Sequence, residues 1–207
     1  MNTENTSKRV FKVIDLTKAA MFIALMAIGA NLTAFIMIGV VPLTFQTVIA
    51  ILAGVLLGKK IGTLSMTGYA LVGLLGAPVF SRFQGGLHMV LNPTFGFILS
   101  FILLAFVVGW IIEKSRETNG LSISTYFIAC YIGLFINYVI GIFYMYFHAQ
   151  YIIEATNVTL LVTATSMTPF FIKDVIITGM AATLCPKIVK ALNLSGGHIK
   201  NNTERPA

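Results

Sequence analysis

The chain has 207 residues, of which 57% are hydrophobic and only 10% charged. Soluble domains carry about 25% charged residues, so this composition excludes an ordinary soluble enzyme or binding module and describes an integral membrane protein whose one domain is the bundle itself. The formal net charge is +7, which in a soluble chain would raise a nucleic-acid partner. Its distribution explains it better. Lys8, Arg9, Lys12 and Lys18 precede the first apolar segment, and Lys59 and Lys60 lie between the second and third. Lys114 and Arg116 lie between the fourth and fifth, and Lys187, Lys190, Lys200 and Arg205 follow the sixth. Only Arg82 and Lys173 fall on the other side. Positive residues stay cytoplasmic. The expectation is an all-α membrane protein with six transmembrane helices and both termini cytoplasmic, its surroundings the lipid bilayer and no nucleic acid. Residues 1–12 are expected as a disordered polar tail, 13–193 as the six-helix membrane domain, and 194–207 as a mobile polar tail.

The first helix is expected over Leu16 to Ile36. No small-residue cleavage signal follows its apolar run, so it reads as a retained helix and not a signal peptide. Ala20 and Ala24 lie four apart, with Ala27 and Ala30 nearby. Small residues at this spacing let helix backbones approach closely in lipid; spacing alone leaves open whether the partner is another subunit or this bundle. Gly39-Val40-Val41-Pro42 predicts a short outer turn, with Pro42 suited to a helix start. Helix two is expected over Leu43 to Leu57, with Thr44 and Gln46 near its outer end. Gly58-Lys59-Lys60 predicts a tight cytoplasmic turn, and helix three follows over Ile61 to Leu75. Both helices are short against the ~20 residues of a full span, which leaves room for a cavity at the outer side.

The stretch Gly76 to Phe97 breaks the pattern. It gathers Pro78, Pro93, Gly85, Gly86 and Gly96 with Arg82, Gln84, His88 and Asn92. Gly and Pro at this density mark turns. Irregular backbone at membrane depth is tolerated where it is buried in protein or lines a wet cavity. The stretch therefore reads as a structured loop that walls or covers a binding site, against the plainer reading of a surface connector. Helix four is expected from Pro93 or Thr94 to Ile112, and Glu113 to Gly120 as a polar cytoplasmic loop. Helix five is expected over Ser122 to Phe147. It carries Asn137 and Tyr138 at depth, suited either to packing hydrogen bonds or to a ligand. His148 to Thr168 is expected as a second outer loop. Pro169 then opens helix six, which runs to about Ala191 with Lys173 and Asp174 in its first turns. An ionisable residue there is a functional-site hypothesis by default, and the positive end of the helix favours Asp174. The alternative is that the pair only marks the interface.

No G-x-x-x-x-G-K-[ST] loop, H-E-x-x-H or G-x-S-x-G motif is present, so neither ATP binding of that type nor those hydrolytic chemistries is expected. Cys130 and Cys185 both fall in apolar segments and read as packing residues. No metal site or cofactor is expected.

Several short motifs together resemble the BioY family of biotin-uptake proteins. Val41-Pro42-Leu43-Thr44-Phe45-Gln46 resembles its VP-x-T-x-Q segment. Gly58-Lys59-Lys60-Ile61-Gly62 resembles the LLG-x-x-x-G turn, and Gly76-Ala77-Pro78-Val79-Phe80 resembles G-x-PVF. Gly85-Gly86 and Pro93-Thr94-Phe95-Gly96-Phe97 resemble the GG and PTGGY elements. Pro169-Phe170 with Asp174 resembles PF-x-x-x-D. Each motif is weak alone, and their ordered set is strong.

The resemblance implies an S component of an energy-coupling factor transporter, a six-helix subunit of the bacterial cell membrane that captures a vitamin from outside. It implies a transmembrane coupling subunit and two ATPases as partners, with Ala20 and Ala24 on the docking face. In a biotin site, Asp174 would accept from the ureido nitrogens, and Asn92 or Gln46 would satisfy the carbonyl. Phe80, Phe95 and Tyr138 would cover the apolar parts. Arg82, from its charge and location alone, would meet the carboxylate, with Lys173 beside the site. Two departures stand out. Ile177 occupies the place where the family commonly has lysine, and Asn92 and Phe95 replace glycines. Adjacent helix positions point about 100° apart, so Lys173 is not expected simply to replace that lysine. Lipoate is the nearest alternative ligand. An intramembrane enzyme using Asp174 and His88, or a bare scaffold, is more distant.

Overall fold

The computed structural model describes residues 12–39, 41–118, 120–155 and 157–201, with side chains as far as Leu192. The helices in chain order are α1 Val13–Asn31, α2 Gln46–Leu74, α3 Phe95–Thr118, α4 Ile123–Tyr151, the short α5 Leu160–Ser166, and α6 Thr168–Asn201. All but α5 are long and apolar enough to cross a membrane. Their outward surfaces carry Leu71, Phe106, Phe135 and Ile176, while Ser100, Asn137, Asp174 and Thr178 are buried. An apolar exterior around a partly polar interior suits lipid as the solvent. Of the tails expected at 1–12 and 194–207, residues 1–11 and 202–207 lie outside the described residues, whereas residues 194–201 continue α6.

α2 is not one rod. Gly58 has φ 76° and ψ 178°, a left-handed, extended break that favours glycine. There the chain folds back on itself. Gln46 Nε2 donates to the Tyr69 hydroxyl at 2.8 Å, although a straight helix would separate those residues by roughly 35 Å. At Gly62, a Cβ would lie 2.9 Å from the Ala53 carbonyl oxygen of the opposite arm. From α3, Glu113 fixes the fold-back. Its Oε1 accepts from the Lys59 backbone N–H at 2.9 Å, and its Oε2 lies 3.2 Å from Lys59 Nζ. The turn expected over three residues thus occupies one, since Lys59 and Lys60 are already helical.

Other boundaries also differ from expectation: α3 runs on to Thr118 where a loop was expected from Glu113, and α4 runs on to Tyr151. α1 ends at Asn31 and not near Ile36, because Met37–Ile38 pairs with Val41–Pro42 as the two short strands β1 and β2. Pro42 accordingly sits in β2 and does not open a helix. Leu43 N–H bonds to Ile36 O and Phe45 N–H to Gly29 O, so α2 begins only at Gln46. The segment between α4 and α6 holds α5, which Thr159 caps by accepting from Val162 N–H at 3.3 Å.

The loop between α2 and α3 is tied down along its length. Gly86 N–H donates to Gly73 O at 2.7 Å, and Phe80 N–H to Gln84 O at 2.9 Å. Asn31 Oδ1 accepts from Phe83 N–H at 2.7 Å. From α4, the Tyr144 hydroxyl donates to Val90 O, and His148 Nε2 lies 2.7 Å from Leu91 O. Phe80 inserts its ring where a side chain at position 73 would stand, since a Cβ on Gly73 would lie 2.1 Å from the ring. These anchors hold the loop as a wall against the bundle.

Candidate functional site

Asp174 lies in the second turn of α6 and is 6% exposed. A buried carboxylate needs partners, and three elements supply them. Oδ2 accepts from Thr47 Oγ1 of α2 at 3.2 Å and from the Tyr138 hydroxyl of α4 at 2.8 Å. Oδ1 lies 2.8 Å from Lys173 Nζ. Lys173 also donates to Thr44 O and stands 5.8 Å from the centre of the Phe45 ring. An ammonium has three donors, so one N–H of Lys173 remains free of these two bonds. A carboxylate has about four lone-pair sites, so roughly one site on Asp174, at Oδ1, is left.

These groups line a cavity of about 150 Å³ bounded by the β1–β2 turn, the start of α2, the 76–94 loop, α3, α4 and α6. Phe80, Phe97, Phe101, Tyr138 and Phe170 provide aromatic walls. Tyr138 meets Phe97 and Phe171 edge-on, with ring centres 5.8 and 5.1 Å apart. Such contacts lock the hydroxyl that holds Asp174. A small, largely apolar space with a few placed polar groups is the usual form of a small-molecule site.

Of the residues expected at the site, Asp174, Asn92, Gln46, Arg82, Phe80, Tyr138 and Lys173 come together on this cavity. Phe95 does not. It is buried against Tyr144, ring centres 6.1 Å apart, and Phe97 takes the place on the wall. Each polar group has a particular state. Tyr69 gives its one hydroxyl hydrogen to Val79 O at 3.0 Å. It must therefore accept from Gln46 Nε2, which turns Gln46 Oε1 to the other side. Asn92 Oδ1 accepts from Thr94 N–H and Thr94 Oγ1 at 3.0 and 2.7 Å. This Asx turn leads into α3 and leaves the Asn92 amide nitrogen as the group to offer. Arg82 is exposed at the rim, in a left-handed conformation with φ 63°. Among the described residues its guanidinium has no ion-pair partner.

The sequence reading did not single out Thr47, Ser81, Phe101, Met89 or Met167, all of which line the cavity. Thr47 follows Gln46 directly, and Ser81 follows the G-x-PVF element, so both had a positional signal. The two methionines had none. Ser81 Oγ and Asn137 Nδ2 are buried without a hydrogen-bond partner among the described residues.

Ala20 and Ala24 lie elsewhere, on the exposed face of α1. Ala19, Phe22, Met26 and Ala30 form its buried face. Packing within the chain's own bundle therefore accounts for Ala30 and not for Ala20 or Ala24.

A family model described as the BioY family matches residues 2–194. The chain belongs to the BioY family. Over 144 residues it is 39% identical to a Thermotoga maritima protein named "Biotin transporter BioY", covering 70% of this chain and 81% of that one. It is 33% identical over 137 residues to a protein of the same name from Rhizobium etli, covering 63% and 73%. Among solved structures, it resembles one described as the "S-component for biotin from an ECF-type ABC transporter". The TM-score is 0.68 at 26% identity, over 92% of this chain and 95% of that one. Against the BioY pattern, Ile177 does not reach the cavity, whereas Lys173 does. Positions 173 and 177 are four apart, about 40° around the helix, so Lys173 rises from nearly the same face, and its long stem brings Nζ to Asp174.

Proposed function

We propose that the protein is the substrate-binding membrane subunit, or S component, of an energy-coupling factor transporter, and that it captures biotin from outside the cell. It is a transport subunit and not an enzyme. The observation that carries this reading is the buried Asp174 carboxylate at an aromatic-walled cavity, in a chain whose relatives are named biotin transporters. Biotin's ureido ring offers two N–H donors and one carbonyl. Oδ1 of Asp174 takes one donor, and the carbonyl faces Lys173 or the amide nitrogen of Asn92. Phe80, Phe97 and Tyr138 cover the bicyclic ring. Arg82 at the rim meets the carboxylate of the tail as a two-pronged donor. The coupling subunit docks on the Ala20 and Ala24 face, with two ATPases behind it.

Calorimetry on the purified protein with biotin and lipoate tests the ligand. Lipoate shares the carboxylated tail and a sulfur ring but has no ring N–H. Losing the bond to the charged Asp174 acceptor and the bond made by the ureido carbonyl predicts binding weaker than biotin by about thirtyfold or more. Equal affinities would remove the ureido ring from the argument.

Counted as separate crossings, the two arms of α2 bring the total to six, and the distribution of basic residues favours cytoplasmic termini. Single cysteines at positions 59 and 115, in a background lacking Cys130 and Cys185, are expected to resist an impermeant thiol reagent in intact cells. A cysteine at position 82 is expected to react. Labelling of either of the first two from outside would reverse the topology.

A further inference from the structure

Arg82 and Phe83 are two successive residues in the left-handed region, with φ 63° and 57°. Neither is glycine, and a side chain in that conformation crowds its own backbone. Such residues persist there only where the surroundings impose it. Burial of their side chains does not impose it, since Phe83 is 60% exposed and Arg82 lies open at the rim. Phe80 N–H bonds to Gln84 O below the tip, which closes the loop but leaves the dihedrals of the three residues between them unset. The turn places Ser81 and Arg82 on the cavity and Phe83 off it.

What fixes the tip comes from another element. Asn31, the last residue of α1, is buried, and both ends of its amide are matched. Nδ2 donates to Ala27 O at 2.9 Å, and Oδ1 accepts from Phe83 N–H at 2.7 Å. The Ala27 carbonyl can only accept and the Phe83 N–H can only donate, so the amide has one orientation. Among the described residues, this is the one hydrogen bond from residues 81–83 to a helix of the bundle.

We propose that Asn31 is a positioning residue for Arg82: by clamping the Phe83 N–H it holds the left-handed pair in place and keeps the Arg82 guanidinium at the cavity rim, where it selects a ligand with an anionic tail. This deepens the biotin reading and rests on it, since there Arg82 meets the carboxylate. Asn31 is not among the residues lining the cavity and acts on the ligand only through the turn. Without the clamp, the pair relaxes toward negative φ. The Arg82 side chain then leaves the tip in another direction, and its charge is no longer held over the opening.

Equilibrium binding of biotin and of biotin methyl ester, whose tail carries no charge, to the purified full chain tests this. Wild type should prefer biotin by about tenfold or more, the worth of a bond to a charged group. Arg82→Ala should erase that preference. Asn31→Leu should cut it to about threefold or less while leaving the affinity for the ester within about threefold of wild type. In the Arg82→Ala background, Asn31→Leu should change the preference no further. Should Asn31→Leu not fold, Phe83→Pro breaks the same bond from the exposed side, because proline has no N–H and fixes φ at about −65°. The same selective loss is expected there. An equal loss of both ligands in a folded variant, or a preference that survives the broken clamp, overturns the proposal and leaves Asn31 a role in the fold alone. A preference that survives Arg82→Ala also overturns it, while biotin capture stands. If wild type binds neither ligand, the biotin reading falls, and the positioning role falls with it.

Discussion

Asp174→Ala is expected to weaken biotin binding by two decades or more in protein that remains folded. A hydrogen bond to a charged acceptor contributes roughly 1.5–3 kcal/mol, and one such bond links Oδ1 to the ligand in the proposed complex. The loss does not stop there. Lys173 is left half-buried beside Thr44 without its counter-charge, and the Tyr138 and Thr47 hydroxyls lose the oxygen that orients them. Removing one member of a buried pair costs about 3–5 kcal/mol, part of which falls on stability. Measuring the thermal midpoint alongside the dissociation constant separates the two effects. Asp174→Asn keeps the shape and one acceptor, so it should cost less than Asp174→Ala. Lipoate, with no N–H to offer Oδ1, should lose much less than biotin in both variants. A folded Asp174→Ala that binds biotin within about threefold of wild type, a shift of only ~0.65 kcal/mol, would sink the assignment.

The second large effect separates binding from transport. Ala24→Trp should reduce biotin uptake in cells to background while leaving biotin affinity within about threefold. Ala24 is exposed on α1, opposite the face formed by Phe22 and Met26. A tryptophan there enters no core of this chain, so it should not disturb the cavity. It does block the close backbone approach that small residues allow between membrane helices. Normal uptake by an inserted, biotin-binding variant would show that this face meets lipid only.

Much of the fold is written in composition. Apolar runs separated by charges locate the long helices, because lipid demands them. Asp174 stands out as an acid in the opening turns of a helix, and the 76–94 loop announces itself through Gly and Pro. Other features are settled only by contacts distant in sequence. The apolar run of α1 continues past Asn31 to Ile38 without a charged residue. It stops being helical because β1 finds β2 and because Asn31 turns its side chain to the Phe83 amide. Phe95 and Phe97 are equally plausible wall residues by type. Two positions on a helix differ by about 200°, so one had to face away, and packing against Tyr144 decided which. The state of Asn92 was hidden for a similar reason. Its oxygen is committed to Thr94, a local bond that its chemistry allowed but its spacing did not single out.

The fold-back at Gly58 also bears on how the chain enters the membrane. The first arm of α2, residues 46–57, is about 18 Å long at 1.5 Å per residue, well short of a hydrocarbon core about 30 Å thick. Alone it would end among the acyl chains with its terminal peptide groups unbonded, a state costing several kcal/mol per group. It gains a stable place only when the second arm lies against it, with Gly62 seated on Ala53 and Gln46 bonded to Tyr69. Biogenesis should therefore treat residues 46–74 as one unit. Seen this way, the Glu113 clasp on Lys59 is a late event that seals the hairpin once α3 arrives.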